Sequence, residues 1–277
     1  MFPTEEIAMK KMLCIMAASA LCLCFMAGCG DSAEEISTNG ENESEFLLQT
    51  QTYNQEYCGE DGKKLIGSCQ YILPKMSAKT NDVYAQKVAE SFNQEIASIL
   101  DDEVDYWNDA MTNFPKESMI LPSEQNTWTN EVNYALAFLG SMVSVRYEHY
   151  VYAGGAHGFT YYTEQMFDAD QGKAVELDDL TDDMAALRKA VEEEILYQIQ
   201  ENDLIAQYGY WNDYRDYVAR WTESGHGVYF SEDGTLNIVF GAYELASYAA
   251  GPQEFVIEQD VYKNYMNDYG KALLGIA

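Results

Sequence analysis

The strongest constraint on the fold is a strict alternation of apolar and polar residues over Val143–Tyr152. Successive side chains of a β-strand point to opposite faces, so this period of two predicts a strand with one buried face. One face carries Val143, Val145, Tyr147, His149 and Val151, and the other carries Ser144, Arg146, Glu148, Tyr150 and Tyr152. The turn Ala153–Ala156 and a second strand to about Asp168 then complete an antiparallel pair.

Further strands are indicated before and after this pair. The predicted strands are 46–57, 64–73, 227–231, 235–240 and 253–258. Turns that contain Asp-Gly, at Gly59–Gly62 and at Glu232–Gly234, join the first four of these strands into two hairpins.

Apolar residues at spacings of three and four predict two main helices. One buried stripe comprises Tyr84, Val88, Phe92, Ile96 and Ile99, and the other comprises Met184, Leu187, Val191, Ile195 and Ile199. Thr181 is the predicted N-cap of the second helix. A short aromatic helix at about 211–222 and a helical tail follow. The order of elements predicts an α+β fold with antiparallel sheets and packed helices, without support for a parallel, Rossmann-like sheet. The sequence leaves open whether the strands form one sheet or two.

The N-terminus carries the pattern of an export signal. Lys10-Lys11 precede an apolar run of 15 residues, Met12–Met26, which is short for a bilayer-spanning helix. The sequence Met-Ala-Gly-Cys at 26–29 resembles a lipobox, so residues 1–28 are predicted to be a lipoprotein signal peptide and Cys29 the lipidated residue. An ordinary signal peptide or a short anchor is the alternative, and Met1 and Met9 are both candidate start residues.

Residues 29–44 are acidic and polar, so they are predicted to form a disordered tether between the lipid and the folded part. Three cysteines lie within the signal, which leaves Cys58 and Cys69 as the only pair in the folded part. A pair of cysteines in an exported chain predicts a disulfide, here across the first hairpin.

The charge balance limits the partners. The chain has 46 acidic and 16 basic residues, a net charge of −30. Such acidity argues against binding to nucleic acid or to anionic lipid, and it favours basic proteins, basic peptides or metal ions. A solvated acidic surface that only keeps an exported protein soluble is the alternative interpretation.

Two stretches resemble a known family. One runs over Tyr150–Gly158 and continues at Gly172–Leu180, and the other runs over Val228–Pro252 and contains Tyr-Glu-Leu-Ala-Ser-Tyr at 243–248. Both resemble the secreted domain of unknown function that is shared by RsiV-type anti-sigma factors and by the N-terminal module of PdaC-type peptidoglycan deacetylases. This domain would occupy 126–277.

The segments Tyr71–Pro74 and Phe92–Ile96 resemble the companion part of that family, which would occupy 45–125. The resemblance implies an extracellular α+β module that binds a partner at the cell wall. In the RsiV-type receptors that partner is lysozyme, a strongly basic protein. We expect neither an anti-sigma factor nor a deacetylase, since no sigma-binding segment, transmembrane helix or deacetylase domain is recognised.

The candidate binding residues come from the turn and its flanking strands. They are Tyr150, Tyr152, Gly154, Gly155, His157 and Tyr162. Tyr and Trp offer rigid contact area for a protein or a sugar, although packing in the core is the alternative for such residues. His157 is either a turn residue or part of a binding site, His149 is predicted to be buried and hydrogen-bonded, and His226 lies between two glycines.

No catalytic or metal motif is present. Asp178-Asp179 and Asp182-Asp183 lie at a helix start, where the helix dipole explains them. The spacings of a zinc site, of a calcium loop and of a serine nucleophile are missing. We therefore predict no catalytic residue, no metal and no cofactor, while a glycosidase-like pair of carboxylates stays open.

Together these observations predict a lipoprotein on the outer face of the cytoplasmic membrane. It would be a non-enzymatic binding module of the cell envelope that recognises a cationic, lysozyme-like protein or a cell-wall glycan. The alternatives are an envelope enzyme or accessory domain that acts on peptidoglycan, and a structural lipoprotein that scaffolds an envelope complex.

Overall fold

The described part of the chain forms nine strands and six helices. The strands are β1 (Phe46–Cys58), β2 (Leu65–Ala78), β3 (Trp128–Leu139), β4 (Met142–Tyr152), β5 (Phe159–Asp168), β6 (Lys173–Val175), β7 (Gly227–Phe230), β8 (Leu236–Phe240) and β9 (Gln253–Ile257). The helices are α1 (Val83–Thr112), α2 (Met184–Glu201), α3 (Leu204–Tyr208), α4 (Tyr214–Val218), α5 (Gln259–Tyr262) and α6 (Asp268–Leu274).

The computed structural model describes residues 45–59, 62–113, 121–123, 125–222 and 227–276. Strands β1 to β6 form one sheet in chain order, and β7 to β9 form a second sheet. The predicted α+β class is confirmed.

The predicted signal peptide, Cys29, the tether 29–44 and His226 lie outside the described residues. None of the described helices combines the length and the apolar character that crossing a bilayer requires.

The β1–β2 hairpin carries Cys58 and Cys69, but the predicted disulfide is wrong. Cys69 lies opposite Gln55, whereas Cys58 lies opposite Leu65, four residues away along β2. At the rise of a strand this offset is about 13 Å, and disulfide-bonded Cα atoms lie at most about 7 Å apart. Both thiols are free, that of Cys58 exposed and that of Cys69 buried. A cysteine count predicts a pair, but it carries no information on strand register.

Helix α1 connects β2 to β3 and so adds one parallel pair to an otherwise antiparallel sheet. Oδ1 of Asp82 accepts hydrogen bonds from the N–H groups of Tyr84 and Ala85, both at 2.9 Å, which begins the helix. The buried residues of α1 are Ala85, Val88, Ala89, Phe92, Ile96, Trp107 and Met111. Strand β3 then pairs in parallel with β2 over Trp128–Val132. Hydrophobic periodicity predicts β2 and α1 of this β-α-β unit, but it predicts neither β3 nor which strands pair.

The alternation that predicts β4 is confirmed on the face that packs against α1. Val143, Val145 and Tyr147 are completely buried there, in one core with Phe92 and Phe167. The rings of Phe92 and Phe167 meet edge to face with centroids 5.3 Å apart. Helix α1 and β2 to β5 therefore form one hydrophobic core.

The opposite face of β4 is covered by the second sheet at its first residues. Oγ of Ser144 accepts a hydrogen bond from the N–H of Phe230 at 2.9 Å, and Ser144 is buried. The guanidinium of Arg146 lies 4.4 Å from the ring centroid of Tyr229 and 3.2 Å from the carboxylate of Glu254. Both faces of β4 are thus packed where β7 crosses it, so alternation there does not separate core from solvent.

Helix α2 begins after Asp183, not after Thr181 as predicted. Oδ1 of Asp183 accepts from the N–H of Ala186 at 3.0 Å, while the hydroxyl of Thr181 donates to the carbonyl of Tyr265 at 2.6 Å. Thr181 is extended because it pairs with Met266. The predicted stripe is confirmed at Leu187, Val191, Ile195 and Ile199, which lie in a second core with the three-stranded sheet.

Candidate binding surface

The end of β4 and the loop that follows carry four of the predicted binding residues. Gly154 and Gly155 have φ values of 89° and 98°, in the left-handed region that favours glycine. The hydroxyl of Tyr152 donates to the carbonyl of Gly155 at 3.0 Å and holds the loop against the strand end. His157, the next side chain of the predicted set, is exposed.

The loop between β8 and β9 presents Tyr243 to solvent. Its φ of 72° is in the left-handed region, which costs a residue with a Cβ atom about 1 kcal/mol or more. The carboxylate of Glu244 accepts from the N–H of Gly241 at 2.6 Å, which tightens the start of the loop. Because 44% of Tyr243 is exposed, burial of its ring does not explain the strain. Backbone strain of this kind concentrates at functional sites.

The two loops meet in an aromatic cluster that consists of His157, Tyr243 and Tyr248. The rings of His157 and Tyr248 stack with centroids 3.7 Å apart and an interplanar angle of 13°. Nδ1 of His157 lies 3.1 Å from the carbonyl of Gly158, and its Nε2 lies 3.1 Å from the hydroxyl of Tyr243. In the neutral imidazole Nδ1 then donates to the carbonyl and Nε2 accepts from the tyrosine. The aromatic cluster is therefore held in place before any ligand arrives.

Trp211 extends the aromatic cluster. Its indole Nε1 donates to the carbonyl of Tyr243 at 3.2 Å, and its backbone N–H donates to the carbonyl of Leu245 at 2.9 Å. The side chain is 39% exposed. Trp211 thus supports the strained residue and adds a further ring of a type that is common at binding hot spots.

Two of the predicted residues are used in packing. A Cβ atom on Gly158 would lie 2.5 Å from the ring of Tyr150, so this ring packs on the last glycine of the loop. Tyr162 is buried, its hydroxyl donates to Glu148 at 3.2 Å, and burial raises the pKa of its phenol to about 12. The prediction of Tyr162 as a binding residue is wrong because β7 covers it, with Gly227 against its Cβ.

His149 lies in a buried network beneath α1. Its Nε2 is 2.8 Å from Oγ1 of Thr163, and its Nδ1 is 3.1 Å from Oε1 of Glu103. A hydroxyl, an imidazole and a carboxylate in this order resemble a nucleophile with its base and orienting acid. Only 2% of His149 is exposed, however, and its ring stacks on Tyr161 at 4.4 Å. The prediction of a buried, hydrogen-bonded histidine is confirmed, and we interpret the network as structural.

The acidic residues at the start of α2 are also used by the fold. Asp183 caps the helix, Asp179 accepts from the N–H of Glu176 at 3.0 Å, and Asp182 accepts from Asn267 at 3.4 Å. Across the described ranges no three His, Cys, Asp or Glu side chains are arranged to hold a metal ion. What the surface offers chemically is contact through exposed rings.

The candidate binding residues predicted from the sequence include His157 but not the rings around it. Tyr243 and Tyr248 open and close the distinctive Tyr-Glu-Leu-Ala-Ser-Tyr segment, and Trp211 lies in a run of aromatic residues. Those were the available signals. Their contact with His157 bridges 86 positions in the case of Tyr243, and no local pattern reports such a contact.

The chain matches two family models, Deacetylase PdaC over residues 60–160 and Protein of unknown function (DUF3298) over residues 178–260. A solved DUF3298 family member from Bacteroides fragilis is similar with a TM-score of 0.57 at 13% identity, covering 80% of this chain and 94% of that one. A DUF3298 family protein from Pseudomonas aeruginosa has a TM-score of 0.51 at 16% identity, covering 80% and 95%. The comparison with curated proteins finds no match. At these identities the solved structures show likeness of fold.

Proposed function

Because the chain carries a domain of the PdaC and DUF3298 type, we propose that it is a non-enzymatic binding module of the cell envelope. The observation that carries the proposal is the aromatic cluster. His157 comes from the residues that match the PdaC model, whereas Tyr243 and Tyr248 come from those that match DUF3298. Rings that two separate parts of the fold hold at the surface provide rigid contact area for a ligand.

The ligand that we propose is a cationic protein of the lysozyme kind. The net charge of −30 attracts a basic protein over long range and accelerates its association. Tyrosine, tryptophan and histidine rings then supply the short-range contact, since such side chains lose little conformational entropy on binding. Charge in this view brings the partner close, and the aromatic cluster determines where it docks.

A cell-wall glycan is the second candidate, and the stack of His157 on Tyr248 favours it. The exposed ring of His157 lies nearly parallel on the half-buried ring of Tyr248, and the pair offers a flat surface of the kind on which a sugar ring packs. Binding of a glycan would depend little on salt, because the contact would be between rings and C–H groups, whereas binding of a basic protein would weaken as salt screens the charges.

We propose further that Cys29 carries a lipid and that residues 29–44 hold the folded part away from the membrane. The basic and apolar pattern before Cys29 and the acidic composition after it support this placement on the outer face of the cytoplasmic membrane. Metabolic labelling with a palmitate analogue tests it. The label should be lost in Cys29→Ala, and retention of the label in that variant would contradict the assignment.

The binding proposal is tested with immobilised lysozyme at low and at high salt. We expect the wild type to bind at low salt, the Tyr243→Ala variant to bind at least tenfold more weakly, and Tyr197→Ala to bind like the wild type. Tyr197 is a matched control because it is 58% exposed on α2. Absence of wild-type binding even at low salt would show that the lysozyme version is wrong.

Sedimentation with purified peptidoglycan tests the glycan version with the same variants. Co-sedimentation that persists at high salt and is lost in Tyr243→Ala would favour a glycan over a basic protein. Release of reducing ends or of acetate from cell wall would contradict the non-enzymatic assignment and favour an envelope enzyme.

A further inference from the structure

Strand β1 forms one edge of the six-stranded sheet, and no described strand pairs with its outer side. It is 13 residues long, while β6 at the opposite edge has three residues. An open edge presents a row of backbone N–H and C=O groups that can pair with another strand. The length of β1 makes this row unusually extended.

Natural proteins protect such edges with Lys, with Pro, with bulges or by keeping the strand short. Strand β1 contains neither Lys nor Pro. Its only break in register with β2 lies at Tyr57/Cys58, at the end of the strand. Over Phe46–Glu56 the strand is regular, so its outer side keeps the geometry that a further strand requires.

The charge of the β1–β2 hairpin differs from that of the rest of the chain. Glu56 is the only charged residue in β1, and Lys75 is the only charged residue in β2, so the two strands together are neutral. The whole chain carries −30. Two copies repel each other over most of their surfaces, and the edge at β1 is where they can approach with the least repulsion.

We propose that β1 pairs antiparallel with β1 of a second copy and joins the two six-stranded sheets into one. Two identical strands that meet antiparallel are related by a two-fold axis, so each residue meets the same environment in both copies. Thr and Gln residues at 49–52 in the middle of the strand would face their counterparts across the pair, and such polar pairs stabilise a sheet. A second copy is preferred over a basic partner because the hairpin has no net charge to attract one.

The mass of the full chain in solution tests the proposal. Light scattering and analytical ultracentrifugation should give a particle of twice the protomer mass that dissociates on dilution. Neighbouring residues of a strand direct their N–H groups to opposite sides. Proline lacks the backbone N–H, so one of the variants Gln51→Pro and Thr52→Pro removes a hydrogen bond to β2. The other removes only a hydrogen bond across the open edge. The latter variant should keep the circular dichroism of the wild type and be a monomer.

A charge variant decides the outcome even where both proline variants unfold. Thr52→Glu should raise the dimer dissociation constant at least tenfold, because two like charges would meet near the two-fold axis. Asn133→Glu is the matched control, since Asn133 is exposed on the interior strand β3, and it should leave the constant unchanged. A wild type that stays monomeric at every concentration would overturn the proposal, as would a dimer that Thr52→Glu leaves intact.

Discussion

The hydroxyl of Tyr243 lies 3.1 Å from Nε2 of His157, although 86 residues separate the two positions. His157 follows β4 of the six-stranded sheet, and Tyr243 follows β8 of the three-stranded sheet. A single exposed hydrogen bond contributes only about 1 kcal/mol at most. The contact therefore depends on the packing of the two sheets, which brings the two loops to one place.

Replacing Tyr243 with glycine should separate stability from binding. Glycine adopts a φ of 72° without strain, so the free energy of unfolding should stay the same or rise by up to about 1 kcal/mol. Ligand binding should fall at least tenfold because the ring is gone. Urea denaturation and a binding titration measure the two effects. If Tyr243→Gly binds the ligand with wild-type affinity, Tyr243 does not contribute to the binding surface.

The two described histidines should behave in opposite ways. His149→Leu leaves Glu103 and Thr163 without their buried partner and should destabilise the fold by about 2 kcal/mol. His157→Ala acts at an exposed ring and should change stability by less than about 0.5 kcal/mol while weakening binding. Denaturation midpoints of both variants measure these losses of stability. A larger loss of stability in His157→Ala than in His149→Leu would contradict the prediction.

Ser144→Ala should loosen the contact between the two sheets. The buried N–H of Phe230 would lose its acceptor, which costs about 1–3 kcal/mol. Ser141→Ala, at a half-buried position in the turn before β4, serves as the control and should cost less than about 0.5 kcal/mol. Equal losses of unfolding free energy in the two variants would show that the hydrogen bond to Phe230 does not matter.

Alkaline pH should destabilise the fold through Tyr262. Its hydroxyl is buried and donates to the carbonyl of Gly234 at 2.6 Å, and burial raises the pKa of the phenol to about 12. The unfolded chain ionises at the usual pKa of 10.0, so the stabilisation is complete below pH 10 and is lost as the pH rises to about 12.

Tyr262→Phe should reduce the slope of unfolding free energy against pH in this window by up to about 1.4 kcal/mol per pH unit. Tyr197→Phe, at an exposed position, is the control and should leave the slope unchanged. Urea denaturation at several alkaline pH values gives the slopes, and an unaltered slope in Tyr262→Phe would contradict the assignment.

The two free thiols of the first hairpin should differ in reactivity. Cys58 is exposed, whereas Cys69 is buried and its burial raises the pKa of the thiol. Iodoacetamide should modify Cys58 in the native protein and Cys69 only in denaturant, as mass spectrometry of peptides would show. A disulfide-linked peptide pair that contains Cys58 and Cys69, recovered under non-reducing conditions, would show that the disulfide forms after all.

The cysteines and Thr181 illustrate where prediction from the sequence ends. The hairpin that carries Cys58 and Cys69 follows from alternation and an Asp-Gly turn, but its register depends on which residues face each other. Thr181 has the chemistry of an N-cap, yet its pairing with Met266 leaves the capping role to Asp183. Both errors arise because contacts between elements override a correct local preference.

The sequence by itself determined the buried stripe of α2 and the face of β4 that packs in the first core, although Tyr84 of the predicted α1 stripe is exposed. The stripe of α2 at Leu187–Ile199 and the alternation of Val143 and Val145 follow from local periodicity, because burial of apolar area has no direction and requires only one apolar face. Only the tertiary structure decided that β2 and β3 pair in parallel and that His157 meets Tyr243. Such contacts depend on how distant elements pack, and no repeat along the chain encodes the distance between two loops.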